Sequence, residues 1–400
     1  MASLPAEIVE QFICHLNEDP DRLKTLLSCS LVSQTWCAIT RPFLYSRLAL
    51  DFDENRTSLA DVISASSHLR TYVHHLLITS AAPIVSALGD LPSLRSLQIR
   101  SSRGQSLTVN REFARNLWSL LSSRHLTSLE LSDLDTFPAR IFYHCLALQN
   151  LAIRHVTFEF PTSNSDQNEE LVTSQLKERP VLKSLILSTQ YREGSDTLHW
   201  LLGPLSPFDF SQLETFIGLD RCDLDRSYEA HCTFISHVAH SLKTVLIDPP
   251  TSSLTEDIQD PLGALEPKNL QKISSITVSV IQEPGDALST LPFLIALLSG
   301  LPNPETLHEI TLLCDLYEHA FRGFDFHSQG WKELDSLLLG FPNLKRVHLK
   351  CYDESDDQIA ATLVSWFYDQ LPRLVSRDIL VIDYFPDLTY TKSMQQQLMG

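Results

Sequence analysis

The chain has 400 residues, of which 43% are hydrophobic and 20% charged, with a formal net charge of −18. This is an ordinary globular composition with ample material for a core. The acidic balance argues against nonspecific binding to nucleic acid or to anionic membrane, because both need a basic surface.

Residues 1–16 contain Glu7 and Glu10 and lack both a basic start and an unbroken apolar core, so no secretory signal is expected. No apolar run is long enough to predict a transmembrane helix. Eight cysteines in a chain of this size do not make a disulfide framework. They are expected as free thiols in a reducing compartment, cytoplasmic and/or nuclear. Asn55-Arg56-Thr57 matches a glycosylation sequon that should then stay idle.

The first helix is signalled by Pro5 and Glu7. Proline suits a helix start because its missing N–H finds no intrahelical partner there. Glu7 favours the positive end of the helix dipole. Ile8, Val9, Phe12, Ile13 and Leu16 then fall on one stripe. Asn17-Glu18-Asp19-Pro20 breaks the helix. A second apolar set follows at Leu23, Leu26 and Leu27, and a third at Leu31, Val32, Trp36 and Ile39. Arg41-Pro42 is expected to end the third helix, since a residue before proline avoids the helical region. Three short helices of this length cannot bury a self-sufficient core.

Leu4-Pro5-x-Glu7-Ile8, the broken first helix, Leu31-Val32-Ser33-x-x-Trp36 and the exit Arg41-Pro42-Phe43-Leu44-Tyr45 resemble an F-box, in particular those of the F-box proteins that fungi carry in large numbers. The resemblance covers residues 3–48. It implies a domain over 1–44 that docks the Skp adaptor of a cullin–RING ubiquitin ligase. It implies adaptor contacts from Leu4, Pro5, Ile8, Val9, Phe12, Leu31, Val32 and Trp36, with Trp36 also buried for folding.

A different period begins after Pro42. Tyr45-x-x-Leu48-x-Leu50 is followed by a helix-like Ser58–Ser66 and then by Val73-x-x-Leu76-x-Ile78. The same frame returns from Leu94, Leu126, Leu148, Leu182, Leu242, Ile273, Leu307 and Leu344. Leu213-x-x-Phe216 is a damaged copy with Gly218 in the third slot, and Ser376-x-x-Ile379-x-Val381 is another. The slots are almost purely Leu, Ile and Val, and the frames recur about every 30 residues with helix-compatible segments between them. Helical stripes are predicted at Phe113, Leu117, Leu120 and Leu121; at Phe234, Val238 and Leu242; at Trp331, Leu334, Leu337 and Leu338; and at Ile359, Leu363, Trp366 and Phe367. Pro292 is placed in the first turn of another helix.

This frame resembles a leucine-rich-repeat array, the commonest companion of an F-box. It lacks the family's ladder asparagine: the equivalent positions hold Ser102, Leu134, Val156 and Gln190. The expected fold is therefore α/β: a short three-helix F-box, then an irregular solenoid of strand–helix repeats with a parallel sheet over 45–385, then a tail over 386–400. Pro161–Gln175 and Asp248–Asn269 are polar and read as long loops. The tail after Pro386 has no apolar stripe.

No phosphate-binding glycine loop, nucleophile elbow or Cys-x-x-Cys occurs, so no catalytic residue and no cofactor are expected. Cys222, His231, Cys232, His237 and His240 do not have a recognised zinc spacing. His74-His75 and His144-Cys145 read as surface or core residues. Asp353-Glu354-Ser355-Asp356-Asp357 reads as a solvated helix start rather than a calcium loop. Residues alternating with the slots should line one sheet face, where a protein target is held. These include His75, Ser96, Gln98, Arg100, Glu130, Asn150, Arg154, Arg346, His348 and Lys350. The basic ones, with His75, Gln98 and His348, are the candidate target contacts. The expected role is a substrate receptor of a Skp–cullin–F-box ligase; an adaptor-binding scaffold without a degradation role is the alternative.

Overall fold

The computed structural model describes residues 5–16, 21–51, 62–63, 65–79, 90–101, 107–108, 117–160, 179–189, 193–220, 225–249, 262, 265–282, 290–316, 328–353 and 357–385. Leu4, Asn55-Arg56-Thr57, Phe113, Cys222, the segment Pro161–Gln175, most of Ser58–Ser66 and of Asp248–Asn269, and the tail after Pro386 lie outside them. The chain divides into two compact units, Met1–Leu182 with Pro207–Asp209, and Lys183–Ser206 with Phe210–Gly400.

The first unit begins with three helices, α1 (Ala6–His15), α2 (Arg22–Ser30) and α3 (Gln34–Tyr45). Pro5 precedes α1, and its carbonyl accepts from the N–H groups of Ile8 and Val9 at 3.1 and 3.2 Å. Val9, Ile13 and Leu26 form a small interior, with Leu16, Cys29, Trp36, Ile39, Phe43 and Leu44 packed around it. Contrary to the expectation from sequence, α3 does not stop at Arg41. It continues through Pro42 to Tyr45. Proline removes one ladder hydrogen bond, but stopping there would pull Phe43 and Leu44 off the interior that they help to close.

Only Ser46 separates α3 from strand β1 (Arg47–Asp51). The Arg22 guanidinium donates to the Phe43 carbonyl at 2.8 Å and to Ser46 Oγ at 3.0 Å, tying α2 to this junction. Phe43 and Leu44 are half-buried against the helical interior.

The strands β2 (His75–Thr79), β3 (Ser96–Arg100), β4 (Leu107–Thr108), β5 (Ser128–Pro138) and β6 (Asn150–Glu159) follow. All pair in parallel, in the order β1-β2-β3-β5-β6, with β4 beside β5. The repeated frame sets the register. Leu48, Leu76, Leu97, Leu129 and Leu151 share one rung, and Leu50, Ile78, Ile99, Leu131 and Ile153 another. Every one of these is buried, as are the first-slot residues Val73, Leu94, Leu126 and Leu148. The helical residues Leu117, Leu120 and Leu121 are buried with them. A short helix α4 (Ser67–Arg70) precedes β2 and buries Leu69.

The second unit carries β7 (Ser184–Thr189), β8 (Thr215–Asp220), β9 (Thr244–Ile247), β10 (Ser275–Gln282), β11 (Glu309–Leu316), β12 (Arg346–Asp353) and β13 (Leu380–Phe385). They are parallel and neighbours in chain order. Between them lie α5 (Glu193–Leu202), α6 (Asp225–Val238), α7 (Leu291–Ser299), α8 (Ser328–Leu338), α9 (Asp357–Gln370) and α10 (Pro372–Ser376). Pro292 stands in the first turn of α7, where its absent N–H leaves no ladder bond unmade. Helix α5 packs on β7 and α6 on β8. Phe234 and Val238 of α6, Trp331, Leu334 and Leu338 of α8, and Phe367 of α9 are buried.

The last repeat departs from its expected frame. Leu380 and Ile382, not Ile379 and Val381, align with Val347 and Leu349. Val381 is instead exposed. Helix α10 and a left-handed Asp378 (φ 57°) take up an extra residue before the strand. Because strand side chains alternate, that one-residue shift exchanges the two faces.

Candidate functional site

The apolar stripes of the N-terminal helices are wider than the interior they cover. In α1, Val9 and Ile13 are fully buried, while Ile8 and Phe12 are about half exposed (50% and 49%). In α2, Leu26 is buried, while Leu23 and Leu27 are exposed at 62% and 50%. Both outward pairs have i, i+4 spacing, so each occupies one helix face. The turn between α2 and α3 presents Leu31 and Val32 at 86% and 65% exposure. Phe12 meets Trp36 edge-on, with ring centroids 6.1 Å apart. Six large apolar side chains are thus left to solvent within three short helices. A concentration of this kind on the surface calls for an account beyond the helices' own packing.

Of the expected adaptor contacts, Ile8, Phe12, Leu31 and Val32 lie at the surface and Pro5 is exposed. Val9 does not: it is buried with Ile13 and Leu26, one helical step from the outward face. Trp36 is half-buried, so it shares its surface between the interior and the outside.

The Leu31-Val32-Ser33-x-x-Trp36 motif has a local physical cause. Ser33 is the N-cap of α3, and its Oγ accepts a hydrogen bond from the Trp36 N–H at 3.2 Å. This satisfies one donor that the helix start leaves orphaned. It also fixes the turn that pushes Leu31 and Val32 outward. Ser33→Ala is expected to cost about 1 kcal/mol of stability, and Ser33→Asp to retain it. Urea unfolding of the full chain checks both.

The candidate target contacts are distributed over both units. In the first, Arg100, Ser132 and Arg154 share a rung across β3, β5 and β6. Arg100 is exposed, but Arg154 is only 3% exposed, with its Nε 3.3 Å from Glu130 Oε1. Burial lowers the Arg154 pKa, against the opposing pull of Glu130 and Asp133. This corrects the expectation of a free basic contact at Arg154: its charge is committed to the sheet's own carboxylates. Gln98 is half-buried beside Glu130 on the neighbouring strand, and His75 is exposed.

In the second unit, Arg346 lies 3.6 Å from Glu309, and His348 Nε2 lies 2.6 Å from Asp383 Oδ2. Lys350 is half-buried; burial lowers its pKa while Asp383 and Glu309 oppose the shift. The basic spot expected from sequence is therefore largely neutralised by adjacent strands. Reading one strand at a time missed this, because Glu309 and Asp383 reach β12 only through sheet register.

The histidine and cysteine cluster resolves into packing. His231 and Cys232 are buried on α6. Burial pushes the Cys232 thiol up to about 12, and does the same to Cys145. Neither is a thiolate nucleophile at neutral pH. His240 is exposed, its Nε2 3.2 Å from the Ser211 carbonyl. Among the described residues no three His, Cys, Asp or Glu side chains gather in a way that could hold a metal ion. No helix among them is long and apolar enough to cross a membrane. No family model matches the chain, and no curated protein is significantly similar to it.

Proposed function

We propose that this protein is the substrate-recognition subunit of a Skp–cullin–F-box ubiquitin ligase. Helices α1–α3 dock the Skp adaptor, and the strand array, read as degenerate leucine-rich repeats, holds a target protein. The observation that carries the reading is the set of outward apolar residues, Ile8, Phe12, Leu23, Leu27, Leu31 and Val32, on a three-helix segment whose interior is otherwise complete. Ile8, Leu31 and Val32 belong to the motif that resembles an F-box, and Phe12 is an adaptor contact that the resemblance implies; Leu23 and Leu27 add to the same outward set. Such a subunit performs no chemistry itself. It raises the effective concentration of target near the ligase.

The test is co-purification of the full chain with adaptor and cullin, followed by target half-life on deletion of the gene. No adaptor in the purified material defeats the reading. Adaptor binding with unchanged half-lives across the proteome leaves only a scaffold.

The junction gives a further expectation. Arg22 clamps α2 to the Phe43 carbonyl and to Ser46, with β1 starting at the next residue. Helices and first strands should therefore move as one body. Inserting about ten Gly/Ser residues after Ser46 creates a flexible coil there. The expected result is retained adaptor binding with reduced target ubiquitination, measured in a reconstituted reaction. Undiminished ubiquitination overturns the rigid coupling.

A further inference from the structure

Four basic side chains of the strand array have carboxylates beside them among the described residues. Arg154 faces Glu130, Lys243 faces Glu214 at 2.8 Å, Arg346 faces Glu309 and His348 faces Asp383. In each case register places the two groups on, or just before, adjacent strands. The start of β1, β2 and β3 gathers basic residues instead. Arg47 stands directly opposite His75. His74 precedes His75, and its carbonyl accepts from the Arg95 N–H at 2.8 Å, bringing Arg95 onto the neighbouring strand. Arg22 closes the group from α2 through its bond to Ser46 Oγ, and the Ser46 carbonyl accepts from the N–H groups of His74 and His75.

Arg47, His75 and Arg95 are exposed, and Arg22 and His74 are half-buried. Among the described residues none of the five forms an ion pair with a carboxylate. Partial burial of the ring lowers the His75 pKa first, and Arg47, His74, Arg95 and Arg22 lower it further. A chain with net charge −18 has carboxylates in excess, yet none among the described residues pairs with these five.

We infer that Arg22, Arg47, His74, His75 and Arg95 form a docking site for an acidic segment of a target protein, rich in aspartate and glutamate. The partner's carboxylates take the places that Glu130, Glu214, Glu309 and Asp383 fill elsewhere in the sheets. Arginine forks suit bidentate carboxylate contact, and the exposed cations draw an acidic chain in over long range. The inference deepens the target-holding half of the proposed function and rests on it for the occupant's being a target. Arg95, Arg47 and Arg22 escape a reading of the sequence because only the register joins them to His75.

The test uses the full-length chain and a fluorescently labelled peptide of alternating glutamate and glycine, with a lysine–glycine peptide as control. Anisotropy is read at low and high salt. Saturable binding of the acidic peptide alone, weakened by salt, is expected. The Arg47→Glu/Arg95→Glu variant should bind about tenfold or more weakly, and Arg47→Gln/Arg95→Gln should fall between it and the native chain. Lys243→Gln, whose cation already faces Glu214, should leave binding unchanged. Equal affinity of the charge-reversal variant and the native chain overturns the inference. So does absence of peptide binding by the native chain, including the case in which reversal alters only the oligomeric state and a second copy is the occupant. Adaptor co-purification is scored in parallel. Peptide binding without adaptor binding defeats the ligase reading and leaves the anion site standing; adaptor binding without peptide binding does the reverse.

Discussion

Leu31→Asp combined with Val32→Asp should abolish adaptor capture while leaving the thermal unfolding of the chain unchanged. Both side chains already face solvent, at 86% and 65% exposure, so charging them removes no intramolecular burial. Surface substitutions of this kind usually stay within about 0.5 kcal/mol. At an interface the same positions are apolar anchors, each worth about 1–3 kcal/mol when removed. Two anchors together correspond to roughly thirtyfold or more in Kd. Burying two new carboxylates without partners adds to the loss. The contrast is Val9→Asp. Val9 is 1% exposed and packs with Ile13 and Leu26, so its charge would sit inside the helical interior. That variant should lose adaptor binding by unfolding the helices, visible as a lower melting temperature. A double variant at Leu31 and Val32 that binds adaptor normally would remove the basis of the docking assignment. Reduced binding with reduced stability would show that the turn belongs to the fold and not to the partner.

The contrast between Val9 and Leu31 also shows what the sequence carries and what it omits. Helical spacing marks Ile8, Val9, Phe12 and Ile13 as one stripe, and all four do lie on one side of α1. Spacing alone does not say how much of a stripe the neighbouring helices cover. Here they cover Val9 and Ile13 and leave Ile8 and Phe12. The strand frame is more informative. A leucine, isoleucine or valine at each slot leaves one register in which every slot is buried, and β2, β3, β5 and β6 adopt it. The frame fails where something other than periodicity sets the start of a strand. At β13 that is the left-handed Asp378. At Pro42 the local preference for ending a helix loses to the burial of Phe43 and Leu44. Charges were the least legible feature. The partners of Arg154, Arg346 and Lys350 come from adjacent strands, and a sequence does not show which carboxylate will stand beside which cation.

Gly218→Leu, which restores the repeat's own preferred residue, should destabilise the second unit instead of strengthening it. Gly218 lies in β8 in register with Leu187 of β7, a position where leucine, isoleucine or valine stands in the neighbouring repeats. From sequence it looks like damage to the frame. The structure gives a different reason for glycine. The His231 side chain of α6 fills the slot from the helix side: a Cβ on Gly218 would lie 2.5 Å from His231 Cδ2 and 2.9 Å from its Nε2, with Phe216 Cε1 at 3.3 Å. His231 is 7% exposed, and its ring lies 5.9 Å from that of Phe216, so it has little room to retreat. Overpacking of a filled core costs about 1–3 kcal/mol. In a unit of this size that lowers the melting temperature by about 2–4 °C per kcal/mol. His231→Ala alone should also destabilise, because it opens a cavity beside a residue with no side chain. Combined, the two substitutions exchange which element fills the slot, and the double variant should recover a large part of the loss. A coupling of about 0.5–3 kcal/mol in that double-mutant cycle is the expected signature. Additive losses, or a Gly218→Leu chain that melts higher than the native one, would show that His231 does not occupy the slot in solution.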